Sequence, residues 1–179
     1  DWSSDVCSSD LFKAVFVQGN SALSIRDGKA ITSEQGKHVM TNVFGLTPKN
    51  NTNYELLTQV HGMGRRGFDV VSCQFALHYF FASKSILDTF IDNVKLCCRL
   101  DGYFIGTMYD GETVFNLLKD KAKGDVLTYY MGEHKIWEVT KKYDMETFDD
   151  NETSLGYAID VYQDSINKTF TEYLVHFER

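Results

Sequence analysis

The feature that most constrains this chain of 179 residues is an apolar strand whose carboxyl end turns abruptly polar. Residues 68–79 read FDVVSCQFALHY, and the closely spaced apolar side chains that predict a buried strand are Phe68, Val70, Val71 and Cys73. Gln74, His78 and Tyr79 then follow as side chains that form hydrogen bonds. In open α/β sheets, ligands bind at the carboxyl ends of the strands. The sequence therefore predicts a ligand site directly after this strand.

A helix and a second strand complete a βαβ unit over residues 68–109. Apolar residues recur at helical spacing between the strands, namely Ile86, Leu87, Phe90, Ile91, Val94, Cys97 and Cys98. Ser85 and Asp88 form a capping-box pattern at the start of this helix, and Asp101-Gly102 is its predicted end. The second strand begins in GYFIGT at residues 102–107. Because a crossover helix joins them, the two strands are predicted to be parallel.

The remaining elements change in character along the chain, from α/β in the first part to antiparallel β in the second. A buried strand over 14–18, a helix over 33–44 and a helical turn over 54–60 are predicted before the βαβ unit. Asp110 is predicted to cap a helix that runs to about Lys119, with its inward residues Val114, Phe115, Leu117 and Leu118. After Gly124 the apolar period becomes two, which predicts hairpins over 127–143 and 159–177 that turn at Gly132 and at Asn167-Lys168.

Composition limits the class of protein. The formal net charge of −7 is unfavourable for a chain that wraps nucleic acid indiscriminately. No run of about 18 apolar residues is present, so no membrane span and no membrane partner are expected. The four cysteines include no C-x-x-C pair, so reduced thiols are favoured over disulfides or zinc, and no metal site is expected.

The first eleven residues do not resemble folded protein. DWSSDVCSSDL has neither apolar periodicity nor a core pattern, and it back-translates codon by codon into a common sequencing-library adapter. We therefore expect residues 1–11 to be non-native and residues 12–179 to be a fragment of one domain. An adapter origin would be wrong if the genomic locus encodes these residues.

Three blocks together resemble the mRNA cap guanine-N7 methyltransferase family. They are SCQFALHYFF, GYFIGT and the acidic EYLVHF at residues 172–177, and the wording is closest to the domains found in capping enzymes of large DNA viruses. The resemblance covers roughly residues 14–177. It implies an α/β fold with a Rossmann-like S-adenosylmethionine-dependent methyltransferase core, whose parallel sheet is incomplete here, and an antiparallel β segment in the C-terminal half.

The reaction implied is transfer of a methyl group from S-adenosylmethionine to N7 of the 5′ cap guanosine of mRNA. Guanine N7 already carries a free lone pair, so the enzyme needs to position donor and acceptor rather than to activate a nucleophile. No acid–base or nucleophilic catalytic residue is therefore expected. The family's glycine-rich donor-site motif does not occur in this sequence, so this fragment is expected to be inactive alone.

The resemblance also implies the residues of two adjacent pockets. The donor S-adenosylmethionine is expected at Asn20, Ser21, Gln74, Phe75 and Tyr79, where Asn20 stands in place of the family's acidic adenine contact.

For the acceptor, the resemblance implies that the cap guanine contacts His78, Tyr79 and Glu172, with His78 and Tyr79 close to the reacting methyl group. A carboxylate accepts the N1–H and 2-amino donors of guanine in parallel, a pair that adenine does not offer.

The expected partner is the GpppN end of a capped RNA, and the resemblance also implies RNA triphosphatase and guanylyltransferase domains in the same chain or complex. The expected location is the cytoplasm (a viral factory) or the nucleus, with no secretion. Two alternatives stay open: a non-catalytic cap-binding or stimulatory subunit, and a methyltransferase of another class acting on a small molecule.

Overall fold

The structure is a computed structural model that describes residues 14–49 and 55–176, and the eleven-residue leader and Phe177 lie outside this range. The helices are α1 (Glu34–Val43), α2 (Glu55–Val60), α3 (Lys84–Cys97) and α4 (Gly111–Leu117). The strands are β1 (Phe68–Gln74), β2 (Cys98–Thr107), β3 (Val126–Met131), β4 (His134–Lys141), β5 (Ala158–Gln163) and β6 (Lys168–Tyr173). Short 3-10 helices cover Leu77–Ala82 and Glu152–Ser154.

Two sheets contain the six strands of the described residues. β1 and β2 form a parallel pair, and β3, β4, β5 and β6 form an antiparallel sheet in that order. An α/β fold with a parallel part followed by an antiparallel part is therefore confirmed. Both predicted hairpins are present, and the turn residues Gly132 and Asn167 have the positive φ angles of 64° and 53° that tight turns require.

The described residues divide into two compact units. The first unit contains the described residues up to Val71 together with Thr89–Phe104. Its core cluster is formed by Val39, Leu57 and Val60. α1 begins where the sequence predicts, because the Ser33 side chain accepts a hydrogen bond from the Gly36 amide at 3.1 Å.

The second unit contains Ser72–Asp88 and the described residues from Ile105 onward. One face of the antiparallel sheet and helix α4 bury its core, which consists of Phe115, Leu118, Val139, Tyr143, Tyr157, Ile159, Val161 and Leu174. Asp110 caps α4 as predicted, since its carboxylate accepts from the Thr113 amide at 3.0 Å. Leu117, predicted to point inward, is instead exposed.

Two predictions about strands are wrong. Residues 14–18 form no strand, and none of the described strands pairs with them. β1 forms where predicted, but it is not a fully buried strand, since Val70 is 50% exposed. A continuous apolar run is buried only when layers cover both faces of a sheet, and the sheet of β1 and β2 has two strands.

The bounds of α3 also differ from the prediction. Ser83 rather than Ser85 caps the helix, because the Ser83 hydroxyl accepts from the Ile86 amide at 3.4 Å. Asp88 forms an ion pair with Lys84 at 2.9 Å. The helix ends at Cys97, and Asp101 lies within β2 with a φ of 62°.

Candidate functional site

The site is built on a sharp turn of the backbone directly after β1. Phe75 has a positive φ of 51°, and its amide donates to the Thr107 carbonyl at 3.0 Å, which holds the ends of β1 and β2 together. The chain then enters the 3-10 helix Leu77–Ala82, which sequence reasoning did not predict. Leu77, Phe80 and Phe81 are buried and fix this helix. His78 and Tyr79 are thereby held at a defined place in the second unit.

His78 and Tyr79 line a cavity of about 690 Å³ that lies wholly within the second unit. Its complete lining is Phe75, His78, Tyr79, Met108, Tyr109, Val114, Trp137, Ile159, Val161, Gln163, Ile166, Phe170 and Glu172. The cavity therefore brings together Phe75, His78, Tyr79 and Glu172, four of the residues singled out in the sequence. Gln74 is not part of this lining.

Glu172 is a buried carboxylate at the polar end of the cavity. It lies on β6 opposite Ile159 of β5, and it is only 8% exposed. Burial raises the pKa of Glu172 from its usual 4.5 to about 7. Because a buried charge is costly unless it is paired, this carboxyl is poised to accept hydrogen bonds from a ligand.

His78 faces this carboxyl as a neutral ring. Its Nε2 lies 3.6 Å from Oε1 of Glu172, which is too long for a hydrogen bond, and neither of its ring nitrogens has a hydrogen-bond partner among the described residues. Burial lowers the pKa of His78 from 6.5 to about 4, so the ring is uncharged at neutral pH.

Two tyrosine rings surround His78. Tyr109 stacks on it at 5.3 Å between ring centroids, and Tyr79 meets it edge to face at 4.3 Å. The Tyr109 hydroxyl donates to the Tyr173 carbonyl, which anchors the ring against β6. Burial, together with the charge of Glu172, raises the pKa of both tyrosines, so both remain neutral. The polar end of the cavity therefore combines flat neutral rings with one carboxyl group.

Two of the residues expected to bind the donor, Gln74 and Phe75, lie at the end of β1 and directly after it. Gln74 accepts from the Thr107 hydroxyl and donates to the Ser72 hydroxyl, both at 2.8 Å. Phe75 is 75% exposed and belongs to the lining of the cavity.

Asn20 and Ser21 belong to the first unit, where they begin a tightly bonded loop. The Asn20 side-chain oxygen accepts from the Ala22 amide at 3.0 Å. The buried Asn93 of α3 holds the loop by donating to the carbonyls of Ser21 and Leu23, at 3.0 and 2.8 Å. The Asn20–Ser21 segment therefore has one defined conformation within its unit.

Sequence reasoning missed several cavity residues. Tyr109 follows the end of β2, so the rule that drew attention to the end of β1 would have found it. Trp137 and Phe170 lie on one face of the antiparallel sheet. The alternation of side chains along their strands predicts this face, but it does not predict a cavity above it. Among the described residues, no three His, Cys, Asp or Glu side chains are grouped so as to hold a metal ion. The helices in the described part of the chain are also too short or too polar to cross a membrane.

Comparison with known proteins identifies the family. The model of the mRNA (guanine-N(7))-methyltransferase domain matches residues 32–179, which is most of the chain. The chain belongs to this methyltransferase family. The resemblance carried by the QFALHY, GYFIGT and EYLVHF blocks is thereby confirmed.

Individual relatives agree with this assignment. The chain is 33% identical over 113 residues to a probable mRNA-capping enzyme of Acanthamoeba polyphaga mimivirus, a match that covers 60% of the chain and 9% of that relative. It is 39% identical over 57 residues to the mRNA cap guanine-N(7) methyltransferase of Caenorhabditis briggsae, covering 32% and 15%. A third relative, mRNA cap guanine-N(7) methyltransferase 1 of Oryza sativa subsp. japonica, is 36% identical over 67 residues, covering 37% and 18%. The matches thus span less than one fifth of each of these relatives.

Proposed function

We propose that this chain is part of an enzyme that transfers a methyl group from S-adenosylmethionine to N7 of the cap guanosine of mRNA, and that guanine binds at the polar end of the cavity. The observation that carries the proposal is the buried Glu172 carboxyl, which faces His78, Tyr79 and Tyr109 in one cavity. Family membership supports the same reaction.

Glu172 is the group that would recognise guanine. Its two carboxylate oxygens accept hydrogen bonds from N1–H and the 2-amino group together, and a charged acceptor makes these bonds stronger than neutral ones. The low exposure of Glu172 means that water competes poorly for the carboxylate. Adenine presents an acceptor at N1 and no 2-amino group, so it would leave the buried carboxylate unpaired.

The neighbouring rings would position the base and leave its N7 free to react. Stacking a base on an aromatic side chain contributes about 1–3 kcal/mol. Methylation at N7 creates a positive charge on the purine, and a nearby carboxylate stabilises that charge. Because His78 is neutral at pH 7, it adds no cation beside the base that becomes positive.

The donor side of the proposal depends on residues that fit S-adenosylmethionine chemically. The exposed Phe75 ring offers an apolar face at the end of β1, next to the Gln74 amide, and Asn20 has an amide nitrogen that can donate. When bound, S-adenosylmethionine supplies the sulfonium methyl group. Gln74, Phe75 and Tyr79 would bind it beside the guanine, and the adenosine contacts of Asn20 and Ser21 stay a prediction from the resemblance.

The partner in this proposal is the GpppN end of a capped RNA. The name of the mimivirus relative, an mRNA-capping enzyme, supports an association with RNA triphosphatase and guanylyltransferase domains. The proposal locates the protein wherever caps are made, in the nucleus or in a cytoplasmic viral factory.

Selective binding of guanine nucleotides tests the proposal. Trp137 lines the cavity, so its fluorescence should report binding once Trp2 is replaced by phenylalanine. We expect GTP to bind at least about tenfold more tightly than ATP, and Glu172→Gln to abolish that preference, because an amide cannot accept both donors. Glu138→Gln, which changes a carboxylate of β4 outside the cavity lining, serves as the control.

Equal affinity for GTP and ATP in the unchanged chain would contradict guanine recognition by Glu172. Transfer of a tritiated methyl group to GpppA-capped RNA by the full-length protein measures the reaction itself. The Glu172→Gln substitution should eliminate this methyl transfer.

Guanine binding is also expected to depend on pH. Only the ionised Glu172 accepts both donors, and its pKa is about 7 in the free protein, so binding releases a proton below that pH. The affinity for GTP should therefore rise about tenfold between pH 6 and pH 8 and then level off. Titrations across this range measure the effect, and the Glu172→Gln variant corrects for protonation of the nucleotide. An affinity that is equal at both pH values after this correction would argue against an ionised Glu172 in the complex.

A further inference from the structure

The cavity extends well beyond the end that holds Glu172. A volume of about 690 Å³ lies within the range of about 300–1,000 Å³ that accommodates drug-sized ligands, so a single nucleobase leaves much of it empty. The part farthest from Glu172 along the strands is lined by Trp137, Gln163, Ile166 and Phe170. We call these four residues the distal subsite.

The strand register gives the length of the cavity. Phe170 lies two residues from Glu172 on the same face of β6, which corresponds to about 7 Å along the strand. Lys168 lies two residues farther on that face and pairs with Gln163, which in turn pairs with Trp137 of β4. The distance from Glu172 to this end is therefore about 13 Å.

The side chains of the distal subsite favour a flat aromatic ring, but they do not select one nucleobase over another. Trp137 and Phe170 supply two aromatic surfaces, and hydrogen bonds can be formed by the Gln163 amide and by the indole N–H of Trp137. Aromatic stacking accepts any nucleobase, because every base has a π-face. No carboxylate belongs to this part of the lining, and Lys168 carries a positive charge at the adjacent strand position, which suits an anionic backbone.

We propose that the distal subsite binds the base of the nucleotide that follows the triphosphate bridge, so that one cavity holds both bases of a GpppN end. This inference rests on the proposed function, because the position of the second base is inferred from guanine bound at Glu172. The subsite would bind capped RNA ends in preference to free guanine nucleotides, and it would tolerate different second bases.

Calorimetric titration with GTP and with the dinucleotide GpppA tests the subsite. The unchanged chain should bind GpppA about tenfold more tightly than GTP, and Phe170→Ala should remove that advantage while leaving the affinity for GTP unaltered. Phe170 is 39% exposed, so its truncation is compatible with folding, and Phe170→Tyr should retain the advantage because it keeps the ring. Tyr103→Ala, which removes an exposed aromatic of β2 outside the lining, is the matched control.

The possible results separate the two proposals. GTP that binds as tightly as GpppA would overturn the distal subsite while leaving guanine recognition intact. Equal weakening of both ligands by Phe170→Ala would also overturn it, because Phe170 would then act on the guanine end. Failure of both ligands to bind would overturn the proposed function and the subsite together.

Discussion

Replacing Glu172 by glutamine is expected to raise the free energy of unfolding by about 3 kcal/mol at pH 8. Burial raises the pKa of this carboxyl from 4.5 to about 7, so the fold favours its neutral form. The stability that this preference contributes is complete below pH 4.5 and is lost as the pH rises through 7. Glutamine is neutral and similar in size, so the variant avoids the cost of a buried charge. A residue proposed to recognise guanine would thus lower the stability of the fold.

His78 has the opposite dependence on pH. Burial lowers its pKa from 6.5 to about 4, so its contribution to stability is complete above pH 6.5 and is lost as the pH falls through 4. The two residues therefore offset each other in the unchanged chain. In the Glu172→Gln variant, the loss of stability on acidification that His78 causes should remain, without the opposing contribution of Glu172.

Urea unfolding at pH 4, 6 and 8 measures these effects. The gain from Glu172→Gln should be about 3 kcal/mol at pH 8 and close to zero at pH 4, where Glu172 is already protonated. Glu146→Gln, which changes an exposed carboxylate of the same unit, should give no comparable pH-dependent gain. A gain of equal size at pH 4 and pH 8 would show that packing, rather than charge, causes it.

The second large effect is expected from Gly111→Ala at the start of α4. A Cβ atom at this position would lie 2.6 Å from the backbone nitrogen of Val175 and closer still to its carbonyl oxygen. Backbone atoms cannot move aside as a flexible side chain does, so the buried segment at Leu174 and Val175 would have to shift. We expect the free energy of unfolding to fall by about 3 kcal/mol or more.

Gly132→Ala provides the comparison for this substitution. Gly132 has a positive φ of 64°, but no atom lies within 4 Å of the Cβ that alanine would add. Its cost should be that of the backbone conformation alone, about 1 kcal/mol. Urea unfolding of both variants at one pH tests the difference. Equal losses would mean that the chain near Val175 relaxes without cost.

The starts of α1 and α4 and the two hairpin turns, which depend on a few neighbouring residues, were predicted correctly. The helix predicted over 33–44 located α1, and Asp110 located the start of α4. Gly132 and Asn167 located the two hairpin turns. These features depend on capping bonds and φ angles, which are properties of the local chain.

Features that depend on several segments were predicted less well. The sequence predicted Ser85 as the cap of α3, whereas Ser83, directly after the 3-10 helix that ends at Ala82, caps it. The apolar run of β1 predicted burial, whereas the sheet that it joins leaves Val70 half exposed. Neither outcome is encoded in the residues of the element itself.

The sequence by itself determined the family, most of the helices and strands in their order, and the choice of His78, Tyr79 and Glu172 as candidates. Periodicity, turn chemistry and motif letters are all local, so they can be read from the chain directly. Only the tertiary structure decided that Glu172 is buried beside His78, that Tyr109 stacks there, and that the cavity continues to Trp137 and Phe170. Burial, pKa and cavity shape arise from atoms of β4, β5, β6 and the 3-10 helix acting together, and their proximity exists only in the folded chain.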